Sequence, residues 1–254
     1  MSKHTNASES DGSIGGAETP PQLIKSAPTL LVGYEADPDA LRRVLPPELE
    51  PHPNNLVQMN MYRVPDDRRT SQLDEYTLTY LTVEVADRDS SATTASGHEF
   101  DIPGRYWTGY WTDAPGMEAF AREQYGLSPR EGSCSWERDG DDLVSTLSVD
   151  GRDVIEARAT VGDEQVGTMT GQLNYFSSRE TAAQPVSDGG SGLVGYPIPF
   201  VSDLQPAEVD AVEFDFDDAS PASALAPAEP LRTPSVMHGR VTFTLPRGVP
   251  LPQS

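Results

Sequence analysis

The sequence is poor in several residue types, and each shortage excludes a class of protein. Its 254 residues include a single cysteine, Cys134, which excludes an internal disulfide framework and is typical of a reducing compartment such as the cytoplasm. Basic residues are scarce, with 18 Lys and Arg against 40 Asp and Glu and a net charge of −22. No basic run exceeds two residues, so neither nucleic acid nor an anionic membrane is expected as a partner. No apolar run approaches the ~20 residues of a membrane span or forms a signal core.

Lysine is the rarest of the charged residues. Only Lys3 and Lys25 occur, so the other basic residues are arginines. A strongly acidic chain with almost no lysine is typical of proteins that work in concentrated salt. There the Debye length of ~3 Å near 1 M screens self-repulsion. The pattern therefore predicts a halophilic protein of a salt-rich cytoplasm.

No metal or cofactor site is predicted. The four histidines lie far apart, and none are spaced as a pair on one helix face. The stretch "GGSG" at 189–192 lacks the preceding strand and following helix of a phosphate-binding loop. The acidic "DFDD" at 215–218 is interpreted as a solvated turn, and Cys134, in an alternating segment, as a buried structural thiol.

The periodicity along the chain predicts an α+β fold with many antiparallel strands and two short helices. A polar, Gly/Ser-rich tail over 1–20 is expected to be disordered, and residues 21–254 to form one domain. A charged turn is expected at 66–69. Strands are predicted at 30–34, 56–64, 77–86, 104–112, 133–137, 143–149, 153–160, 167–176, 209–216 and 238–245.

Two segments carry helix signals. The first begins at Asp37 as N-cap with Pro38 at the first helical position. The second is predicted over 115–125, with Asp113 as N-cap and Gly126 just past its end.

The most aromatic segment is "GRYWTGYWTD" at 104–113. Strict strand alternation places Trp107, Gly109 and Trp111 on one face. Two interpretations follow: the indoles line a pocket around the glycine, or they pack in a sheet core.

Three segments, taken in order, resemble the acetoacetate decarboxylase family. They are "DALRRVLPPELEP" after a strand, an "ARE" helix that ends at Gly126, and "AEPLRTPSVMHGRVTFTLPRG" near the C-terminus. The resemblance covers roughly residues 25–247. It implies an antiparallel β cone or barrel-like double sheet with flanking helices, assembled into a homo-oligomer.

The resemblance also locates a catalytic turn. In the family, a Pro-Lys-Lys turn follows this helix; its first lysine forms a Schiff base with a β-keto acid, and its neighbour lowers the pKa of that lysine. Without gaps, the turn falls on Ser128, Pro129 and Arg130; a one-residue slip places the nucleophile on Arg130. Neither register supplies a lysine, and arginine has no free nucleophilic nitrogen.

The other family positions differ as well. The arginine of the N-terminal strand falls at Ala27, and a glutamate of the next strand at Asn60. The second glutamate falls at Tyr76, with Glu75 one residue away. The resemblance thus implies the pocket but not the decarboxylase mechanism.

The first functional hypothesis is a divergent enzyme, of lyase or hydratase type, that binds a small carboxylate or keto acid without a Schiff base. Arg130 would supply the fixed positive charge, and Glu75 or Glu123 the acid or base. Substrate contacts would come from Asn60, Tyr76, Trp107 and Trp111.

Two alternatives remain. The chain is a non-catalytic ligand-binding or structural relative, or it is a true β-keto acid decarboxylase that uses Lys25. An ionisable side chain that faces the pocket would separate the first alternative from an enzyme.

Overall fold

Long strands dominate the chain because apolar side chains recur at every second residue along most of it. The structure, a computed structural model, describes residues 22–65, 73–162, 167–178, 192–217 and 220–251. The predicted tail at 1–20 and the charged turn at 66–69 lie outside these ranges.

In the described part of the chain, seven strands form a ring. They are β1 (Gln22–Glu35), β2 (Leu56–Val64), β3 (Tyr76–Thr94), β4 (Glu99–Thr112), β9 (Gly167–Ser178), β10 (Leu193–Phe214) and β11 (Ser235–Leu245). Seven pairings among them are antiparallel, and β4 pairs with β9 in parallel. Strand β9 closes the ring by pairing with β10 on one edge and with β3 and β4 on the other. The predicted barrel-like sheet is therefore confirmed, although β4 also runs parallel to a short strand, β5 (Arg130–Glu131).

A second antiparallel layer continues from the ring. The C-terminal part of β10 pairs with β8, which pairs with β7 and then β6. These strands are β6 (Ser133–Asp139), β7 (Asp142–Val149) and β8 (Arg152–Val161); two short strands, β5 (Arg130–Glu131) and β12 (Val249–Pro250), pair with β4 and β10.

Alternation along β2 separates two cores. Val57, Met59 and Met61 belong to a cluster that joins β1–β3 to the second layer. Asn60, between the two methionines, and Tyr62, after them, point into the ring. The apolar side chains inside the ring form a second, largely aromatic cluster. Because the outward face of β2 is covered too, almost the whole strand is buried.

The two helices agree with the prediction, with one correction. Helix α1 (Pro38–Val44) is capped by Asp37, whose carboxylate accepts from the amide of Ala40. Helix α2 (Pro115–Tyr125) ends at Gly126 in the left-handed conformation, which glycine adopts without steric cost. Its N-cap is Ala114, because the Asp113 carboxylate instead accepts from the amide and hydroxyl of Thr77.

Strand β10 is the largest departure from the sequence prediction. It begins at Leu193, whereas a strand was predicted only over 209–216. Three prolines make "LVGYPIPFVSDLQP" untypical of a strand, since proline cannot donate to a ladder. Neither described helix is long and apolar enough to cross a membrane.

Candidate active site

A cavity of about 410 Å³ lies inside the ring. Apolar side chains form much of its wall, among them Leu31, Leu173, Phe200 and Met237. Polar side chains meet on the remaining wall: Asn54, Gln58, Asn60, Glu84, Arg105 and Ser202. An apolar cavity of this size with a few convergent polar groups is typical of a small-molecule site.

Glu84 is the buried carboxylate of this wall, with 3% of the residue exposed. Its Oε1 accepts from Gln58 Nε2 at 2.7 Å, and its Oε2 accepts from Asn54 Nδ2 at 2.5 Å. Gly33 makes room for this arrangement, since an added Cβ would lie 2.7 Å from Gln58 Nε2. A buried carboxylate with both oxygens hydrogen-bonded is held in one orientation.

Arg105 is the cation of the cavity. It is directly opposite Glu84 in the β3–β4 register, so both side chains face the ring interior. Burial opposes its charge, but the Tyr175 hydroxyl and the Glu84 carboxylate outweigh burial and raise the pKa of Arg105. Its Nε is buried and has no hydrogen-bond partner within the described residues. The guanidinium therefore has a buried donor that no described residue uses.

Asn60 connects the cavity to a group of tyrosine hydroxyls. Its Nδ2 donates to Tyr62 at 2.8 Å and to Tyr80 at 3.0 Å. The Tyr80 hydroxyl also lies 3.1 Å from those of Tyr62 and Tyr175. Asn60 Oδ1 is buried without a partner in the described part of the chain. The predicted contact residue Asn60 thus lines the cavity.

The predicted charged residues are not brought together. Arg130 is exposed on β5 and does not line the cavity. Glu75 is exposed and bonded to Arg63, with its Oε1 2.6 Å from Arg63 Nε, and Glu123 is exposed on α2. The single site that the sequence predicts for Arg130 with Glu75 or Glu123 is therefore not assembled, because each residue is exposed to solvent.

The aromatic candidates lie elsewhere too. Tyr76 is buried in the aromatic cluster of the ring, away from the cavity wall. Trp107 and Trp111 do not share a face, because the β3–β4 register shifts between Leu81 and Thr82. This bulge places Trp107 in the inner cluster and Trp111 in the outer one, where it stacks on Phe216. Both indoles pack in cores, as one interpretation of that strand expected, and Trp107 also borders a cavity together with Gly109.

The Ser-Pro-Arg turn borders a different space. Ser128 and Trp107 line a second cavity of about 260 Å³, which shares no lining residue with the polar cavity. Of the two residues that the alignment offers for the family's nucleophile position, Pro129 is buried and Arg130 is exposed; Lys25 is exposed as well. A register shift between Ile24 and Ala27 separates Lys25 from the buried face of β1, so it does not share a side with Ala27.

The remaining candidates for chemistry lie outside the cavity. Cys134 is buried; its Sγ accepts from Trp136 Nε1 at 3.1 Å and lies 3.4 Å from the Ser145 hydroxyl. Burial raises the pKa of the Cys134 thiol, which makes it a poor nucleophile. Among the described residues, no group of three or more His, Cys, Asp or Glu side chains is placed to hold a metal ion.

Sequence reasoning missed Glu84 and Arg105, although a signal was present. Glu84 interrupts the apolar run "LTVEVA" at 81–86, and a lone acid in a buried strand needs a polar partner. Arg105 is the second residue of the aromatic segment at 104–113, where strand alternation puts it on the same face as Trp107. Neither signal identifies the partner without the strand register.

The comparisons with known proteins agree with this architecture. The model of the family described as acetoacetate decarboxylase matches residues 8–252. The chain belongs to the acetoacetate decarboxylase family. The predicted family membership is thereby confirmed. No curated protein matches the chain in sequence.

Solved structures confirm the family's fold at low identity. An acetoacetate decarboxylase from Legionella pneumophila is 19% identical with a TM-score of 0.70, and the alignment covers 98% of each chain. The enduracididine biosynthesis enzyme MppR complexed with pyruvate is 18% identical with a TM-score of 0.64, over 94% of this chain and 93% of that one. An acetoacetate decarboxylase-like enzyme from Sphingomonas wittichii RW1 is 14% identical with a TM-score of 0.63, over 92% and 94%. These likenesses establish the fold.

Proposed function

We propose that the polar cavity binds a small carboxylate that carries a keto group, such as a short 2-keto acid, and that Arg105 holds its carboxylate. The observation that carries this proposal is the buried, unpartnered Nε of Arg105 in a cavity of about 410 Å³. A guanidinium offers two parallel donors to a carboxylate, and such charge-assisted pairs contribute more than neutral hydrogen bonds. The pyruvate complex of MppR supports this ligand class.

We assign the role of proton acceptor to Glu84. It would remove a proton from the carbon beside the keto group, and the electron pair would move onto the carbonyl oxygen as an enolate. Return of the proton regenerates the keto acid. If the substrate carries a hydroxyl group on the next carbon, the protonated Glu84 would give its proton to that hydroxyl, which would leave as water while the carbonyl re-forms; the outcome would then be dehydration. Neither path needs a lysine, and none of the described residues that line the cavity is a lysine.

A specific observation favours the non-catalytic alternative. Both Glu84 oxygens already accept amide hydrogen bonds, from Gln58 and Asn54. With an amide hydrogen bond on each oxygen, this carboxylate has fewer free lone pairs to accept a proton from a ligand. In that case the cavity would bind the acid and leave it unchanged.

Exchange of the pyruvate methyl protons in D₂O distinguishes an enzyme that uses Glu84 as its base from a non-catalytic binding protein. We expect NMR to show exchange with the wild type, and a rate lower by roughly 10²-fold or more with Glu84→Gln, the range for loss of a general base. Glu123→Gln, at an exposed carboxylate outside the cavity, should exchange at the wild-type rate. Binding by calorimetry without any exchange would establish the non-catalytic alternative. The absence of both would refute the proposed ligand class.

A further inference from the structure

Three buried tyrosine hydroxyls form a chain inside the ring. Tyr80 is central, and its hydroxyl lies 3.1 Å from those of both Tyr62 and Tyr175. The residues come from β2, β3 and β9, and they are 4%, 7% and 2% exposed. Buried hydroxyls are rarely left without a role in a hydrogen-bond network, so their donors and acceptors can be counted.

The three hydroxyls have one more proton than the hydrogen bonds among them use. Asn60 Nδ2 donates to Tyr62 and Tyr80, so the amide accepts no proton from either. Arg105, beside Tyr175, is a donor only. The two contacts among the hydroxyls consume two of their three protons. One of the three hydroxyls can therefore donate its proton to a group other than these tyrosines.

Tyr62 is the hydroxyl that can donate this proton to a ligand. It lines the polar cavity, whereas Tyr80 and Tyr175 do not. Arg105 lines the same cavity and acts electrostatically on the Tyr62 hydroxyl. A bound acid can therefore present one end to Arg105 and its neighbouring oxygen to Tyr62.

We propose that Tyr62 is the oxyanion donor of this site: it hydrogen-bonds the keto oxygen of a bound keto acid, and Tyr80 and Tyr175 orient it. This inference rests on the proposed function. Tyr62 would be a catalytic residue and the other two positioning residues. As the proton beside the keto group leaves, charge builds on the oxygen, and the hydrogen bond from Tyr62 strengthens without transfer of the hydroxyl proton.

The surroundings favour a donor that stays protonated. Burial, more than any other factor, raises the pKa of both Tyr62 and Tyr80. The hydroxyls therefore remain donors at neutral pH. A donor fixed by two neighbours does not reorient during the reaction, and such preorganised donors stabilise developing charge most effectively.

The alternative is that the tyrosines only fill the ring. A filling role predicts that removing a hydroxyl weakens every ligand to a similar degree. An oxyanion donor predicts a selective loss, because only a ligand with negative charge at the keto-oxygen position uses the extra bond. Selectivity between ligands therefore separates the two roles.

The test uses three probes and the full chain in constant salt. Propanoate offers only the carboxylate for Arg105, pyruvate adds a neutral keto oxygen, and oxalate places a charged oxygen at the position of the enolate oxygen. Binding constants would be measured by calorimetry for the wild type, Tyr62→Phe and Tyr80→Phe. Tyr110→Phe is the matched control, because its ring stacks on that of Tyr80 but no hydrogen bond joins its hydroxyl to the three within the described residues.

We expect oxalate to bind the wild type most tightly and propanoate most weakly. Tyr62→Phe should reduce the oxalate-to-propanoate affinity ratio by roughly ten- to a hundredfold, the range for a hydrogen bond to a charged group. Tyr80→Phe should reduce it less, and Tyr110→Phe should preserve it. Circular dichroism verifies that each variant folds.

Different results would refute the proposed function and the oxyanion donor. If propanoate and pyruvate do not bind the wild type at all, the proposed function fails and the oxyanion donor with it. If they bind and the affinity ratio is the same in Tyr62→Phe and the wild type, only the oxyanion donor is refuted. An equal loss for all three probes would also refute it and leave the tyrosines with a filling role.

Discussion

Glu84 and Arg105 lie directly opposite each other on β3 and β4, and both line the polar cavity. Their hydrogen bonds are nevertheless unequal. Glu84 accepts from two amides, while Arg105 Nε has no partner within the described residues. The carboxylate thus has both oxygens hydrogen-bonded, and one guanidinium donor is left unused by the described residues. This asymmetry favours capture of an anion over an internal ion pair.

Among the described residues, no lysine lines the cavity, which predicts that no Schiff base forms. Neither register of the turn places a lysine at the family's nucleophile position, and Lys25 is exposed. We expect borohydride reduction in the presence of acetoacetate to add no mass to the protein. Intact-mass analysis followed by peptide mapping measures this. An adduct at Lys25 would instead support the lysine-dependent decarboxylase.

The charge balance predicts that salt stabilises the fold. A net charge of −22 favours expansion of the chain, and salt screens that repulsion. The midpoint of thermal unfolding should rise between ~0.1 and ~3 M KCl, with most of the screening complete near ~1 M. A midpoint that is constant or falls over this range would refute the halophilic interpretation.

The buried tyrosines predict a loss of stability in alkali. Burial is the main factor that raises their pKa above the ordinary value of 10.0; the residues are Tyr34, Tyr62, Tyr76, Tyr80, Tyr110 and Tyr125. The unfolded chain releases these protons near pH 10, while the folded chain keeps them. The stabilisation is therefore complete below pH 10 and decreases above it, by up to about 1.36 kcal/mol per pH unit for each tyrosine.

Urea unfolding from about pH 8 to 11 measures this slope. Tyrosinate absorbance should appear together with the loss of circular dichroism. Tyr34→Phe, which removes a hydroxyl that donates to the Leu225 carbonyl, should lower the slope by one proton. Gradual formation of tyrosinate in a chain that stays folded would contradict the prediction.

Sequence periodicity predicted the strands better than it predicted the site. The predicted strand at 56–64 has the same bounds as β2, and α1 begins after the predicted N-cap, Asp37. Because both faces of β2 are covered, alternation alone does not identify the face that lines the cavity. Glu84 and Arg105 become a site only through the β3–β4 register.

Motif alignment favoured a residue outside the cavity for a different reason. It led to Arg130 because the turn after α2 aligns with the family's lysines. The exposed β5 directs that residue away from the polar cavity. Similarly, the shared face predicted for Trp107 and Trp111 is broken by a register shift that short-range alternation does not reveal.

Pyruvate binding to two arginine variants tests the central claim most directly. Arg105→Met removes the cation inside the cavity, and Arg130→Met removes the exposed arginine that the sequence favoured. By calorimetry in constant salt, we expect Arg130→Met to bind pyruvate like the wild type and Arg105→Met to bind at least roughly tenfold more weakly. Unchanged binding in Arg105→Met, or a loss confined to Arg130→Met, would contradict the account.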